Sequence, residues 1–423
     1  MITKSKNAHT LTRSQRPLPI RAIEWTANVL QRCGLPAANL SEEIVLKAAQ
    51  RRTGLSDWGD EGFRVPLRLL LKDYAADERL TYLARWGARH RFVNMCANRL
   101  LTQDELKRHP EILEVPIRRP LFVVGLPRTG TTLLYNLLAQ DPHCRPLLTW
   151  EAFGPSLSAA DERRTPDPRI RRAQLMVKAV KYAAPQLEIA HPLDPLGPEE
   201  CLALLACTFV TIFLADAPSY REWLMGLSHD EIVAAYQHFK RQLQALLWRR
   251  GGDHWVLKSP AHLFALDALL DVFPDGCIVQ THRDPLEVVP SGCSLTAIFQ
   301  GLNYAHVEPA EVADYYLTTL LQGLDRAMKA RETISPSRVF DMHFQDLMQD
   351  PIGCVRSIYQ HFDYEMTAEM EQKMQRLLRE KPRHKHGVHR YELEQFGLDA
   401  EKVNRAFAPY CERFNIRSEQ RSA

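Results

Sequence analysis

The sequence lacks the patterns that mark several large classes of protein. Its nine cysteines are scattered, with no CxxC pair and no other metal-ligand spacing, so it indicates neither a disulfide framework nor a zinc module. We expect reduced, mostly buried thiols, as in a cytoplasmic protein, and no bound metal ion. Residues 1–19 are basic but contain no apolar stretch, which argues against a secretory signal.

Long apolar runs and a strong net charge are also missing. The longest apolar run, Cys201 to Ala215, is short for a membrane span, and we interpret it as a buried helix. The alternative is a segment that dips into a membrane and admits a lipid acceptor. A net charge of +3 over 423 residues gives no reason to expect a nucleic-acid partner. The sequence leaves the oligomeric state open.

The most informative segment that is present runs from Pro120 to Gln140. An apolar stretch, LFVV, predicts a strand, the next eight residues, GLPRTGTT, predict a tight loop, and a helix follows. Unpaired backbone N–H groups and the positive end of the helix dipole then favour a bound anion. The loop resembles the nucleotide-binding P-loop, GxxxxGK[ST], but Thr131 occupies the lysine position and Arg128 is the only cation.

A second segment, Asp275 to Leu295, predicts a strand, a strand-end arginine and a helix. Arg283 follows the strand, and Ser291 comes eight residues later, about two helical turns in. A guanidinium and a hydroxyl placed in this way could close on one phosphate. The segment therefore favours a second phosphate site, separate from the loop.

Together the two segments resemble the donor site of sulfotransferases that use 3′-phosphoadenosine 5′-phosphosulfate (PAPS). The resemblance extends from Pro120 to the end of the chain, and HPLDPLGPEEC, residues 191–201, is similar to microbial members. It implies that Arg283 and Ser291 bind the 3′-phosphate. It also implies that the 5′-phosphosulfate is bound by loop residues, namely Gly125, Pro127, Arg128, Thr129, Gly130, Thr131 and Thr132.

Two further segments are similar to this family. In HWVLKSPAHL, Lys258 follows a predicted strand, as does the lysine that faces the donor sulfate in tyrosylprotein sulfotransferases. In KPRHKHGVHRYELEQFGL, Lys385 and Gly387 resemble the C-terminal loop that closes over the adenosine 3′-phosphate. The resemblance thus implies that Lys258 and Arg128 act in catalysis and that Lys385 and Gly387 help to bind the donor.

The catalytic base is less clearly indicated. Glu151, in LLTWEAFGP, follows the first helix at a distance similar to that of the catalytic glutamate in tyrosylprotein and glycolipid sulfotransferases, and it is our first choice. The rivals are His191, Glu199 and Glu200. Because Glu199 and Glu200 directly precede the apolar run, they could instead interact with a helix dipole.

Strands alternate with helices after Pro120, which predicts an α/β fold, a P-loop-like parallel sheet flanked by helices. In such a fold the ligand binds at the carboxyl ends of the strands. The predicted strands are Leu121–Val124, Trp255–Leu257, Cys277–Thr281 and Arg338–Met342. We divide the chain into a helical N-terminal region, residues 1–115, and a sulfotransferase domain, residues 116–423.

The predicted function is transfer of a sulfuryl group from PAPS to a hydroxyl of a small-molecule or lipid acceptor by in-line displacement. One alternative is a P-loop kinase or NTPase, which is disfavoured by the missing loop lysine and by the lack of a strand ending in a magnesium-binding aspartate. The other is a non-catalytic nucleotide-binding protein on the same fold. The sequence does not identify the acceptor.

Overall fold

A five-stranded parallel sheet forms the centre of the molecule. The computed structural model describes residues 17–33, 38–212, 216–380 and 392–419. The strand order is β2–β3–β1–β4–β5, and every neighbouring pair is parallel. The strands are β1 Leu121–Gly125, β2 Cys144–Pro146, β3 His254–Lys258, β4 Cys277–His282 and β5 Val339–His343. The predicted α/β fold is confirmed.

The central strand β1 is buried on both faces because helices cover both sides of the sheet. Its residues alternate between the two hydrophobic cores: Phe122 and Val124 belong to the larger one, Leu121 and Val123 to the smaller. The edge strand β2 was not predicted. Its three residues include Pro146, which cannot donate to a ladder, so the segment carries no strand pattern.

Four α-helices among the described residues precede the sheet, and three of them, between residues 42 and 108, bury apolar side chains in the larger core. Leu67, Leu70, Phe92 and Cys96 are among their fully buried side chains. The same hydrophobic cluster contains strand residues, so these three helices share one core with the sheet. The four are α1 Leu18–Arg32, α2 Glu42–Thr53, α3 Arg64–Ala76 and α4 Tyr82–Arg108.

The remaining helices cover the sheet and extend one side of the molecule. They are α5 Thr131–Leu138, α6 Thr149–Ala152, α7 Pro168–Ala183, α8 Leu187–Ala190, α9 Leu202–Ala206, α10 Pro218–Met225, α11 His229–Arg250, α12 Leu266–Val272, α13 Pro285–Gln300, α14 Pro309–Ala330, α15 Phe344–Gln349, α16 Pro351–His361, α17 Ala368–Glu380 and α18 Ala400–Arg413. The Asp73 carboxylate of α3 accepts N–H bonds from Ser219 and Tyr220 in α10 (2.8 and 3.2 Å), which joins the N-terminal helices to this layer.

Over its described residues, 201–212, the apolar run that begins at Cys201 is buried or half-buried, but it is helical only over α9. Thr208 ends the helix because its hydroxyl donates to the Leu205 carbonyl (2.6 Å) and accepts from the Val210 N–H (3.0 Å). Phe209 then adopts a left-handed φ of 60°. The prediction of a helix is therefore wrong for residues 207–212. Within the described residues, no helix has the length and hydrophobicity needed to cross a membrane.

Candidate active site

The loop between β1 and α5 depends on two glycines. Gly125 has a φ of 149°, and a Cβ there would lie 2.2 Å from the Thr281 hydroxyl oxygen, so no larger residue fits. Gly130 has a φ of 86° and precedes α5, whose first turn receives no side-chain cap. The first-turn N–H groups of α5 and its dipole therefore point at the open mouth of the loop, as an anion site requires.

The loop side chains divide into a structural and an exposed group. Thr129 is fully buried, and its hydroxyl donates to the Leu126 carbonyl (2.6 Å), so it holds the loop in shape. Arg128 and Thr132 are exposed, whereas Pro127 and Thr131 are half-buried. The exposed group is the one that can contact a ligand.

The second predicted phosphate site lies beside this loop. Arg128 Nε donates to the Ser291 hydroxyl (3.0 Å), and Arg283 Nη1 donates to the Arg128 carbonyl (3.1 Å). The parallel pairing of β1 with β4 explains this meeting, because it aligns the two strand ends that carry the loop and Arg283. Residues more than 150 positions apart thus form one cationic surface at the carboxyl ends of the strands.

A carboxylate from the C-terminal segment contacts Arg283. Both oxygens of Glu419 accept bonds from this guanidinium (2.8 and 3.1 Å), and the Glu419 N–H donates to Asp284 (2.8 Å). The centroid of the Phe344 ring lies 3.9 Å from the Arg283 guanidinium carbon. Arg283 is therefore oriented by an aromatic ring and paired with an anion of the chain itself.

Lys258 is the last residue of β3, next to the loop. Its side chain is buried, and Nζ donates to Glu200 Oε1 (2.5 Å) and to the Thr132 hydroxyl (3.4 Å). Glu200 is held close because the Cys201 N–H donates to the Lys258 carbonyl (2.9 Å). The structure thus places a buried ammonium between the loop and an acidic side chain.

His191 and Glu199 form an ion pair near this group, with 3.5 Å between Nε2 and Oε1. Burial alone would lower the pKa of His191, but the hydrogen bond and charge of Glu199 outweigh it and raise the pKa. Burial likewise opposes ionisation of Glu199, but the bond from His191 lowers the pKa of this carboxyl. Both shifts favour the charged forms of the pair, which makes His191 less suited to accept a proton.

Comparisons with known proteins agree with this geometry. Residues 120–369 match the model of the sulfotransferase family. The chain belongs to the sulfotransferase family. The structure is similar to sulfotransferase STF9 from Mycobacterium avium, with 31% identity, a TM-score of 0.80, and 92% of this chain and 99% of that chain covered. It is also similar to sulfotransferase STF1 from Mycobacterium tuberculosis H37Rv, with 30% identity, a TM-score of 0.73, and coverage of 87% and 98%.

A further relative is omega-hydroxy-beta-dihydromenaquinone-9 sulfotransferase Stf3 from Mycobacterium bovis. It is 27% identical over 336 residues, which cover 75% of this chain and 83% of the relative. The present chain is a sulfotransferase, and PAPS is the general donor of its family. It transfers a sulfuryl group to a hydroxyl of a lipid or small-molecule acceptor.

In this sulfotransferase, Glu151 has a different environment from the one expected of a base. The side chain is fully buried, and its two oxygens accept bonds from Arg145 (2.6 and 2.9 Å). Arg250 donates to Oε1 (3.0 Å), and the Leu148 N–H donates to Oε2 (3.2 Å). The described bonds of Glu151 therefore come from two arginines and one backbone N–H, whereas Glu200 contacts Lys258.

Two predicted donor residues, Lys385 and Gly387, lie outside the described residues. The structure also shows a grouping that sequence spacing did not reveal: Asp141, Cys144 and His254 each have a ligand atom within 4.8 Å of the others. Cys144 and His254 begin β2 and β3, so the grouping lies at the sheet edge opposite Lys258. Burial, with the charge of Asp141, raises the pKa of the Cys144 thiol, which bonds to Asp141 and contacts the Tyr359 hydroxyl.

Proposed function

We propose that the cationic surface at the carboxyl ends of β1, β3 and β4 binds PAPS in two parts. The loop from Gly125 to Thr132 binds the 5′-phosphosulfate through its N–H groups, its hydroxyls and Arg128. Arg283 and Ser291 bind the 3′-phosphate, for which Arg283 must leave Glu419. Lys385 and Gly387 complete the donor site by resemblance to the family.

The observation that carries the catalytic proposal is the position of Lys258 between Thr132 and Glu200. PAPS supplies a sulfuryl group with a phosphate as its leaving group. Lys258 offsets the negative charge that develops on the bridging oxygen as the sulfur–oxygen bond breaks. Glu200 accepts the acceptor's hydroxyl proton while that oxygen bonds to sulfur. The charges balance without covalent participation of a side chain.

Glu200 replaces Glu151 in this proposal because of its surroundings. The Glu200 side chain is 19% exposed, whereas the Glu151 side chain is fully buried. Among the described contacts, Glu200 has one cationic partner, Lys258. The arriving donor can attract Lys258 and so release Glu200. Glu151 is bound by Arg145 and Arg250, neither of which belongs to the donor site.

For the acceptor we propose the terminal hydroxyl of a long apolar lipid. The support is the relative that acts on omega-hydroxy-beta-dihydromenaquinone-9 and the apolar segment that directly follows Glu200. The half-buried Leu202 and Ala203 are the first residues of this segment. A base placed at the end of an apolar segment would meet the polar end of such a lipid.

We further propose that the reaction needs no metal ion, because Lys258, Arg128 and Arg283 supply the positive charge.

The free state of all nine cysteines supports a cytoplasmic location. We retain the division of the chain at about residue 115. The proposed sulfotransferase domain then begins close to residue 120, where the family match starts. The small net charge continues to argue against a nucleic-acid partner.

Paired amide substitutions test the choice of base. We expect Glu200→Gln to lower kcat by about 10²- to 10⁴-fold, as for loss of a general base, with the Kd for adenosine 3′,5′-bisphosphate nearly unchanged. We expect Glu151→Gln to lower the free energy of unfolding instead, because it weakens a buried ion pair. Turnover of labelled PAPS, calorimetric titration and urea unfolding supply the three readouts.

The matched variant makes this experiment decisive. If Glu151→Gln abolishes turnover while stability and donor affinity stay normal, and Glu200→Gln is active, Glu151 is the base. If both variants are fully active, neither carboxylate accepts the proton.

Turnover that survives chelation with EDTA is expected in the unmodified protein, and its loss would contradict the metal-free mechanism.

A further inference from the structure

Helix α1 exposes an apolar stripe that no described element covers. Leu18, Trp25 and Val29 are 74%, 69% and 38% exposed. With Ala22, which is also exposed, they lie at positions i, i+4, i+7 and i+11 and therefore share one helical face. We refer to these four residues as the α1 stripe.

The opposite face of α1 is the one that packs on the protein. Ala27, which lies on the opposite side of the helix from Leu18, is buried, and α1 contacts α4. The helix is therefore anchored by one side while the α1 stripe faces outward. Single exposed apolar residues are common on protein surfaces, but a helical row that includes a tryptophan indicates a surface with a partner.

The charge of this part of the sequence indicates which partner. The residues that precede or begin α1 carry five cations and no acidic residue before Glu24, namely Lys4, Lys6, Arg13, Arg16 and Arg21. An apolar helical face that follows a basic stretch of sequence is typical of helices that lie in the interface of an anionic lipid bilayer. Tryptophan is enriched at that depth because its ring is both apolar and polar.

We infer that the α1 stripe docks this protein on an anionic lipid surface. The helix lies parallel to the membrane, with Leu18, Trp25 and Val29 inserted between the headgroups and the basic residues attracted to the lipid phosphates. This docking does not depend on the proposed function, because it needs neither PAPS nor turnover. If the acceptor is a membrane lipid, docking brings the active site to it.

Vesicle sedimentation with the full chain tests the inference. The probes are vesicles of equal parts phosphatidylcholine and phosphatidylglycerol, and vesicles of phosphatidylcholine alone. We expect binding to the anionic vesicles that weakens strongly at about 0.5 M salt. The double variant Trp25→Glu with Val29→Glu is expected to bind at least about tenfold more weakly, because it places two charges in the inserted face.

A matched control is available on helix α7. Leu175 and Tyr182 are 60% and 55% exposed, so Leu175→Glu with Tyr182→Glu adds the same two charges to another apolar helical surface. This control is expected to bind vesicles like the unmodified protein. Calorimetric titration with adenosine 3′,5′-bisphosphate checks that both double variants keep the donor site and hence the fold.

Three outcomes would overturn the inference. The first is no binding of the unmodified protein to anionic vesicles. The second is equal loss of binding in the α1 and α7 variants, which would indicate a diffuse charge effect. The third is self-association, measured by light scattering, that the α1 variant abolishes while vesicle binding is absent; this would assign the stripe to a second copy of the chain. Retained PAPS turnover in any of these cases leaves the proposed function standing.

Discussion

Arg283 contacts a carboxylate in this structure where the proposed function requires a phosphate. Glu419 binds the guanidinium with both oxygens and is positioned by its N–H bond to Asp284. A carboxylate in this geometry offers Arg283 the planar acceptor pair that a phosphate would also offer. The donor must therefore displace Glu419. The apparent affinity for the donor falls by the fraction of molecules in which Glu419 occupies Arg283.

The first expected result concerns Glu419→Gln. The variant should bind adenosine 3′,5′-bisphosphate about three- to tenfold more tightly, because a neutral amide competes less well for Arg283. The gain should shrink at high salt, which screens charge–charge competition. Calorimetric titration measures both effects.

A control for this variant lies on α18. Glu412→Gln removes the same charge from an exposed position nearby in sequence, and it should leave the affinity unchanged. Equal tightening in both variants would indicate a general change in net charge. Unchanged or weaker binding by Glu419→Gln alone would show that Glu419 does not compete with the donor.

Individual side chains were predictable where a motif fixed their place on a strand end. Arg128, Arg283 and Ser291 come together because parallel pairing aligns the loops in which two of them lie. The choice between Glu151 and Glu200 could not be made in this way. It depends on Arg145 and Arg250, which reach Glu151 from β2 and the end of α11, and no sequence spacing records those contacts.

At the level of elements, the packing of α13 on α14 holds Ser291 in place. Gly292 follows Ser291, and a Cβ at this position would lie 1.9 Å from the buried hydroxyl oxygen of Tyr316 in α14. The two helices can approach this closely only because residue 292 has no side chain. The position of Ser291 beside Arg128 therefore depends on a glycine.

Glycine substitutions in two helices test this dependence. We expect Gly292→Ala to lower the free energy of unfolding by about 1–3 kcal/mol, as overpacked cores do, and to weaken bisphosphate binding. A methyl group added at Gly87, in α4, would meet no described neighbour within 4 Å, so Gly87→Ala should be neutral or stabilise by about 0.5–1 kcal/mol. Urea unfolding compares the two variants, and equal stabilities would contradict the packing described here.

Elements with a regular pattern were predictable, and irregular ones were not. The strands β1, β3, β4 and β5 were located to within one or two residues, and β1, β3 and β4 each contain a short apolar run followed by a turn signal. The helix prediction failed after α9 because an apolar segment can be buried in any backbone conformation, so its hydrophobicity does not specify a helix. There the Thr208 hydroxyl ends the helix, because it donates to the Leu205 carbonyl in competition with the backbone N–H groups.

On the scale of the whole molecule, one edge of the sheet collects the groups of the proposed reaction. The loop after β1, Lys258 after β3 and Arg283 after β4 occupy neighbouring strand ends, as expected for a parallel α/β fold. Helices α2, α3 and α4 share the larger hydrophobic core with the sheet, so they are part of the same folded body. The sequence predicted a helical N-terminal region but not which surface would face outward.

The most direct test of the two-part donor site compares two nucleotides that differ by one phosphate. We predict that adenosine 3′,5′-bisphosphate binds about 10- to 100-fold more tightly than AMP, because charge-assisted bonds from Arg283 and Ser291 reach only the 3′-phosphate. Arg283→Ala should remove this preference, and Arg79→Ala, which changes an arginine paired with Asp77 in the N-terminal region, should retain it. Equal affinity for the two nucleotides in the unmodified protein, measured by calorimetric titration, would contradict the two-part site.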